Sequence, residues 1–447
     1  MSRPKFDHAT VFPIFALTFV DILGLTLILP LLHLYAIKFG AGPLEIGIVA
    51  AAFPLAQVLG VPVMGALSDR YGRKPLLLVS QITTCIGFIL LALSNSLWMV
   101  ILSRLIDGLF GANIATAQAA ISDITTDENR AQGLGLTGAA FGLGFLFGPA
   151  ISLIALEFSD NLALPAWIAA VYSLISIMIT LFMFRETLPA SQRRAAAAST
   201  SVLAWRTWLP DFGLLKRPQM GLLMLLMFAQ QVVFYGFESL LGLFTLNRLG
   251  LLGQGNSLIF IFVGIVLVYG QTRLIAKWKQ KYGETRLAQI ALATLAIGLL
   301  LFALTPAQPH PLYVKAIAAR DVQDLTPSAT EAMIGQFAVQ LPDDADRGVG
   351  GILWLLVALV PLSVGAGLIR PSLNALITHR ATRTEYGAAL GLSAALVTLA
   401  NAIAPLLGGL IYQQYGMTAP FLLGALVLFA LLMLTFSVFR RIVVAQA

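Results

Sequence analysis

Charge is scarce in this chain. Of 447 residues only 11% are Asp, Glu, Lys or Arg, whereas 58% are hydrophobic. A soluble fold of this length needs more charge to keep its surface hydrated, so composition excludes a water-soluble multidomain protein and indicates a polytopic membrane protein. Cysteine is scarcer still: Cys85 stands alone, which rules out an intramolecular disulfide. The four histidines are scattered, and neither a phosphate-binding glycine loop nor a metal-ligand cluster occurs. No catalytic residues, metal, ATP or other cofactor are therefore expected, and the chain does not read as an enzyme. The net charge of +7 suggests nucleic acid only until its distribution is considered.

Long apolar runs are what the sequence has in abundance. A hydrocarbon core of about 30 Å needs about 20 apolar residues per helix. Twelve such runs lie near 10–37, 46–67, 75–94, 97–121, 131–155, 165–184, 220–246, 256–276, 287–305, 350–378, 386–411 and 418–439. The first, "VFPIFALTFVDILGLTLILPLLHLYA", is too long for a signal-peptide core and has no small-residue cleavage site behind it, so it is a retained helix. If this helix enters from the cytoplasm, most Lys and Arg fall inside and only Lys38, Arg248, Lys315, Arg320 and Arg347 fall outside. The positive-inside rule then places both termini in the cytoplasm of a multi-pass cell (inner) membrane protein. Basic residues here are an orientation signal, with attraction to anionic membrane lipid as a secondary effect and no nucleic-acid partner.

Residues 1–187 form a first six-helix half, 188–218 a polar, basic cytoplasmic linker with Trp205 and Trp208 at the interface, and 219–447 a second half. A weak parallel repeat relates them. Tyr71-Gly72 recurs as Tyr282-Gly283; "LGL" at 134–136 recurs at 390–392, and Pro149 as Pro405, with the later pairs displaced by a polar insert near 306–350. Halves related by an axis along the membrane normal place a substrate site between them near the midplane. The insert is acidic and external, either a surface loop or a cap over the outer vestibule.

One charged stretch interrupts the first half: "GALSDRYGRKP", Gly65 to Pro75. Gly65 lets a neighbouring helix approach, Asp69 is placed to receive a helix's positive end or an Arg, and Gly72 permits a tight turn. Arg70, Arg73 and Lys74 hold the loop inside. The stretch resembles the signature loop of the major facilitator superfamily. "SRLIDGLFGANIATAQAAISDIT" resembles that superfamily's fourth-helix motif, with Arg104 as its membrane-embedded base and Asp123 near its inner end. "GAAFGLGFLFGPA" resembles the fifth-helix antiporter motif at Gly144, Gly148 and Pro149. The first helix, "FVDILGLTLILPLL", is similar to its counterpart in the tetracycline-efflux branch.

The resemblance covers about the first 190 residues. It implies an all-α polytopic membrane protein with the major facilitator fold, twelve transmembrane helices in two pseudo-symmetric halves. It further implies a monomeric, proton-coupled drug exporter of the twelve-span drug:proton antiporter group, with a small-molecule substrate and protons as coupling ion. That branch carries an additional acid in helix 3, whereas "LLLVSQITTCIGFILLAL" has none, so tetracycline itself is not implied.

Asp21 lies about 16 Å into helix 1 and Asp107 about 15 Å into helix 4. An ionised side chain at that depth costs on the order of 3 kcal/mol, so each needs a cavity or a partner. Arg104 and Asp107 share a helical face and partly neutralise each other. Asp21 is the leading proton-binding candidate, followed by Asp107 with Arg104 setting its affinity; the alternatives are a structural ion pair and a packing hydrogen bond. In helix 7, Glu238 is placed about 27 Å from the inner end, close to the outer surface, where solvation competes with proton coupling. Gln231 and Tyr235 share its face. Asn113 and Gln118 on helix 4, Arg370 and Asn374 on helix 10, and Asn401 on helix 11 either line the cavity or bridge helices. Gly138, Gly142, Gly144 and Gly148 on helix 5 suit close packing, with Pro149 completing a hinge or seal. A cytoplasmic gate is expected from Gly65, Asp69, Arg70, Gly72, Arg73, Lys74 and Asp123, with Arg383 and the start of helix 11 receiving Asp69. The mirror loop "AKWKQKYGETR" has Gln280 in the place of Asp69. Drug export is set against a facilitator or metabolite transporter and against a non-transporting membrane receptor.

Overall fold

The computed structural model describes residues 8–125, 130–159, 161–191, 193, 212–322, 339–382 and 385–446. They are helical, with no strand among the described residues. Six long helices come first: α1 (Val11–Lys38), α2 (Pro43–Tyr71), α3 (Arg73–Ala92), α4 (Leu97–Ile124), α5 (Arg130–Phe158) and α6 (Ala163–Phe182). After a short 3₁₀ turn at Phe212–Lys216 come α7 (Pro218–Leu249), α8 (Gly253–Tyr269), α9 (Ile275–Ala303), α10 (Gly350–Arg380), α11 (Tyr386–Tyr415) and α12 (Ala419–Gln446). Among the described residues, 11 helices are long and apolar enough to cross a membrane. The twelfth, α8, has 17 residues but continues through a π turn, Gly270–Leu274, directly into α9. Gly283, with φ 72° and ψ 168°, then breaks α9 into 275–282 and 284–303. Spans 8 and 9 thus run as expected, except that the basic connection between them is itself helical.

Two more interruptions have local causes. Pro30 lies in a 3₁₀ turn, Leu29–Leu31, within α1, where its ring removes a backbone donor. The helix α4 breaks at Gly111-Ala112, between Leu97–Phe110 and Asn113–Ile124. Backbone groups freed inside hydrocarbon need partners, and they have them. Ala112 N donates to Ser80 Oγ (3.0 Å), Ser80 Oγ donates to Phe110 O (2.5 Å), and Gln57 Nε2 donates to Gly111 O (3.2 Å).

The chain divides into two compact units, Met1–Tyr35 with Ala52–Leu209 and Ala36–Ala51 with Pro210–Ala447. In the first, α1 packs chiefly on α5 and α6, and α3 on α6. In the second, α9 packs on α10 and α12, and α7 on α11. The boundary between Leu209 and Pro210 falls within 188–218, while 36–51 joins the second unit: Gly47 lies against the Pro405 carbonyl, and Gly409 against Pro43. Most of the linker, including Trp205 and Trp208, lies outside the described residues.

Both flanks of the insert are docked on the second unit. Gly250 ends α7 in a left-handed turn (φ 66°), and a β-carbon there would collide with the ring of buried Tyr313. Tyr313 Oη donates to Pro342 O (3.1 Å), His310 N to Leu249 O (3.0 Å), and Gly351 N to Gln308 Oε1 (3.0 Å). Burial pushes the His310 imidazole below its usual range. Residues 323–338 of the insert lie outside the described residues.

Candidate functional site

Three polar constellations emerge, and the Gly72 turn is the most connected. Gly72 adopts φ 109° and ψ 162°, a region that only glycine enters readily, so α2 ends and α3 begins within one residue. Arg73 then sits at the hub. Its Nη1 lies 2.6 Å from Asp69 Oδ1 and its Nε 2.9 Å from Asp123 Oδ2, while Nη1 also donates to Ser68 Oγ (3.1 Å). Asp69 thus receives an Arg, but one from its own turn. Arg383 lies outside the described residues, and Glu385 at the start of α11 is held by Arg217. Arg70 rests over the Tyr71 ring and Lys74 Nζ donates to Leu181 O (2.9 Å). Gly65 differs from the expectation of a close approach: among the described residues nothing lies within 4 Å of where its β-carbon would be.

Glu186 is the member of this turn that sequence reasoning missed. Its carboxylate accepts from Arg73 N (2.9 Å) and Lys74 N (3.1 Å), capping free amides at the start of α3, and from Leu188 N (3.0 Å) in its own segment. A side chain at Gly72 would strike it. Thr187 Oγ1 adds a bond to Asp123 Oδ2 (3.1 Å). The signal available was an acid directly behind the sixth apolar run, in a segment read only for its bases.

The second constellation lies within the spans of the first unit. Arg104 Nη1 and Asp107 Oδ2 are 3.5 Å apart, with side chains 3% and 4% exposed. Thr84 Oγ1 donates to Asp107 Oδ1 (2.7 Å), and the guanidinium lies 5.3 Å from the Phe88 ring centroid. Asp21 is different. Both of its carboxylate oxygens are inaccessible and lack a hydrogen-bond partner, although Ser176 and Asp107 are in its neighbourhood. Ser176 Oγ is instead used by Gln81 Nε2 (2.8 Å). Helix α5 braces this part of α1: a β-carbon at Gly144 would collide with Ile22 and one at Gly148 with Thr26, and Thr26 Oγ1 donates to Gly144 O (2.8 Å). The close packing expected of α5 holds at these residues, next to Pro149, but not at Gly138, which faces open space.

In the second unit, several cavity candidates bridge helices. Gln231 Nε2 donates to Asn401 Oδ1 (2.7 Å), linking α7 to α11, and Ser393 Oγ donates to Asn374 Oδ1 (3.5 Å), linking α11 to α10. In the first unit, Gln118 Nε2 similarly reaches Thr137 Oγ1 (3.4 Å), and Asn113 is buried with Oδ1 unpartnered. Tyr235 and Glu238 are half-buried on α7. Because α7 extends to Leu249, Glu238 lies about 16 Å along the helix from that end. Arg370 is exposed. Among the described residues no group of three or more His, Cys, Asp or Glu is placed to hold a metal.

Eleven membrane-long apolar helices and the shorter α8 among the described residues, with charges inside them, define a polytopic membrane transporter. The chain belongs to the Major Facilitator Superfamily, whose family model matches residues 14–319 and 332–445. This is a family of transporters, not of enzymes. Tetracycline resistance protein, class B, of Escherichia coli is 27% identical over 89% of this chain and 87% of its own. Multidrug resistance protein 2 of Bacillus subtilis (strain 168) is 24% identical over 93% and 92%. The human organic anion transporter MFSD10 (TETRAN) has the same fold, with a TM-score of 0.67 at 22% identity over 97% of this chain and 100% of that one.

Proposed function

We propose that this protein exports a lipophilic or amphipathic small molecule by alternating access, driven by protons entering in exchange. The observation that carries this reading is the carboxyl of Asp21, both of whose oxygens are buried inside the first unit without a hydrogen-bond partner, Ser176 being engaged by Gln81. A charge held that way costs several kcal/mol. Proton binding removes the cost, so the group gains or loses its proton according to whether water reaches it. Asp107, already tied to Arg104 and Thr84, tunes that step rather than carrying the proton. Glu238 is the corresponding acid of the second half. Relatives named for tetracycline and multidrug resistance support the direction of transport.

The distribution of Lys and Arg supports cytoplasmic termini in a bacterial inner membrane. The Gly72 turn, with Asp69, Arg70, Arg73, Lys74 and Asp123, then belongs to the cytoplasmic gate, and Gly144, Gly148 and Pro149 to the helix-5 seal. The protein works as a monomer, with protons as coupling ion. One proton per cycle gains about 2.3 kcal/mol for each 100 mV of membrane potential.

The test is dye transport by purified protein in liposomes under an imposed pH gradient. Asp21→Asn is expected to abolish gradient-driven transport while preserving dye exchange at equal pH. Wild-type transport indifferent to the gradient, or full gradient-driven transport by the Asn variant, defeats the proposal.

A further inference from the structure

Arg370 is a stranded cation. It lies ten residues from the Arg380 end of α10, about 15 Å into the span. Among the described residues no acid pairs with it and no acceptor receives a hydrogen bond from it, in contrast to Arg104, which has Asp107. Yet its side chain keeps an accessible surface although protein atoms surround it. Exposure to lipid at that depth is disfavoured by the cost of a charge in hydrocarbon. The helix agrees: its exposed large apolar residues are Leu353, Trp354, Val357 and Val360, and Arg370 points roughly 80–160° away from them at 100° per residue. A cation at this depth, off the lipid-facing stripe and without a partner, fits a wetted surface on which its counter-ion is supplied from outside the protein.

The surroundings of Arg370 are donors. Asn374, one turn along the same face, uses its Oδ1 to accept from Ser393 Oγ (3.5 Å), which leaves its amide N–H groups available. One turn the other way, Gly367 lies against Leu267 and Gln271, where the π turn Gly270–Leu274 faces α10. A single π turn in an otherwise regular helix is often associated with a functional site, and here it brings the exposed amide of Gln271 towards the Arg370 face. A guanidinium flanked by neutral amides is a set built for a planar or tetrahedral anion.

We propose that Arg370, with Asn374 and Gln271, binds the anionic group of the transported molecule, so that the substrates are amphipathic organic anions carrying a carboxylate, sulfonate or phenolate on an apolar body. This deepens the exporter reading above and rests on it.

The test uses full-length protein in nanodiscs and two probes on one xanthene scaffold, anionic carboxyfluorescein and cationic rhodamine 6G. Wild type is expected to bind carboxyfluorescein, and Arg370→Gln to weaken that binding about 10- to 100-fold while leaving rhodamine 6G unchanged; Arg370→Lys is expected to stay within about 10-fold of wild type. Because no partner within the protein is lost, Arg370→Gln is also expected to melt no lower than wild type without ligand, whereas a structural arginine would lower the melting temperature. Unchanged carboxyfluorescein affinity in Arg370→Gln, an equal loss for both probes, or a wild type that binds only rhodamine 6G or neither probe overturns the inference. Asp21→Asn separates the two readings: it is expected to keep carboxyfluorescein binding while losing gradient-driven transport, so that either proposal fails without the other.

Discussion

The two halves make the same turn with different chemistry. Gly72 and Gly283 stand at equivalent points and share a conformation, φ 109° and ψ 162° against φ 72° and ψ 168°. Around Gly72, Arg73 joins Asp69 and Asp123, and Glu186 caps the helix that follows. Around Gly283, Gln280 replaces the first acid, and Glu284 is shared by Lys279 (2.9 Å) and His379 (3.1 Å). Among the described residues nothing lies within 4 Å of the β-carbon position at Gly283, whereas Glu186 fills it at Gly72. The backbone device is therefore common to both halves while the charges wired to it are not. A similar split runs through the spans: the first half pairs Arg104 with Asp107, and the second leaves Arg370 exposed.

The backbone comparison is tested by alanine at both glycines. Each substitution forces a conformation that costs about 1–3 kcal/mol for a residue with a side chain. Gly72→Ala adds the displacement of Glu186 and is expected to lower the melting temperature in detergent well beyond Gly283→Ala. In a Glu186→Ala background the excess is expected to shrink. Equal losses at the two glycines would mean that Glu186 does not cap the turn.

Charge wiring is tested next. Arg73→Gln leaves Asp123, whose side chain is only 16% exposed, without its counter-charge and with only the Thr187 hydroxyl, and frees Asp69, which is 59% exposed. A fully buried broken pair costs about 3–5 kcal/mol; with one acid open to water the expected loss is about 2–3 kcal/mol. In the second half, Glu284→Gln removes an acid from Lys279 and His379, whose side chains are 54% and 69% exposed, and is expected to cost under about 1 kcal/mol. Thermal unfolding of both variants decides whether the first half holds its turn more firmly.

Much of this was legible in the chain because hydrophobic length and glycine spacing are local properties. The twelve spans, the two turn glycines, the Arg104–Asp107 spacing and the Gly144–Gly148 packing all follow from residues near each other in sequence. What escaped depends on partners far along the chain. Glu186 meets Arg73 across 113 residues, and Ser80 supports the break in α4 from another helix. Gly65 has the right residue type for a close approach, yet among the described residues nothing lies within 4 Å of its β-carbon position. The end of α7 lies a few residues beyond its most apolar run, at Leu249, which adds to the helix on the far side of Glu238. The exposure of Arg370, on which its proposed role depends, is likewise invisible until α8 and α10 are packed together.

The smallest expected effect concerns the foot of α11, where the second half does carry a strong ion pair. Glu385 accepts from Arg217 Nη2 (2.7 Å) and Nη1 (3.0 Å) and from Thr382 Oγ1 (2.8 Å). The Arg217 hydrogen bond, assisted by Thr382, holds the carboxyl at about 2, down from the usual 4.5. Because the folded value is depressed, the stabilisation is fully present above the unfolded value and is lost as pH falls from there through the folded one. The melting temperature of Arg217→Gln is therefore expected to lie slightly below wild type at pH 7, with the gap closing between pH 4.5 and about 2 and narrowing in high salt, since the pair is open to solvent. A gap that stays constant down to pH 2 would mean that Arg217 acts through packing rather than charge. The charge asymmetry between the halves would then be deeper than the pairing at α11 suggests.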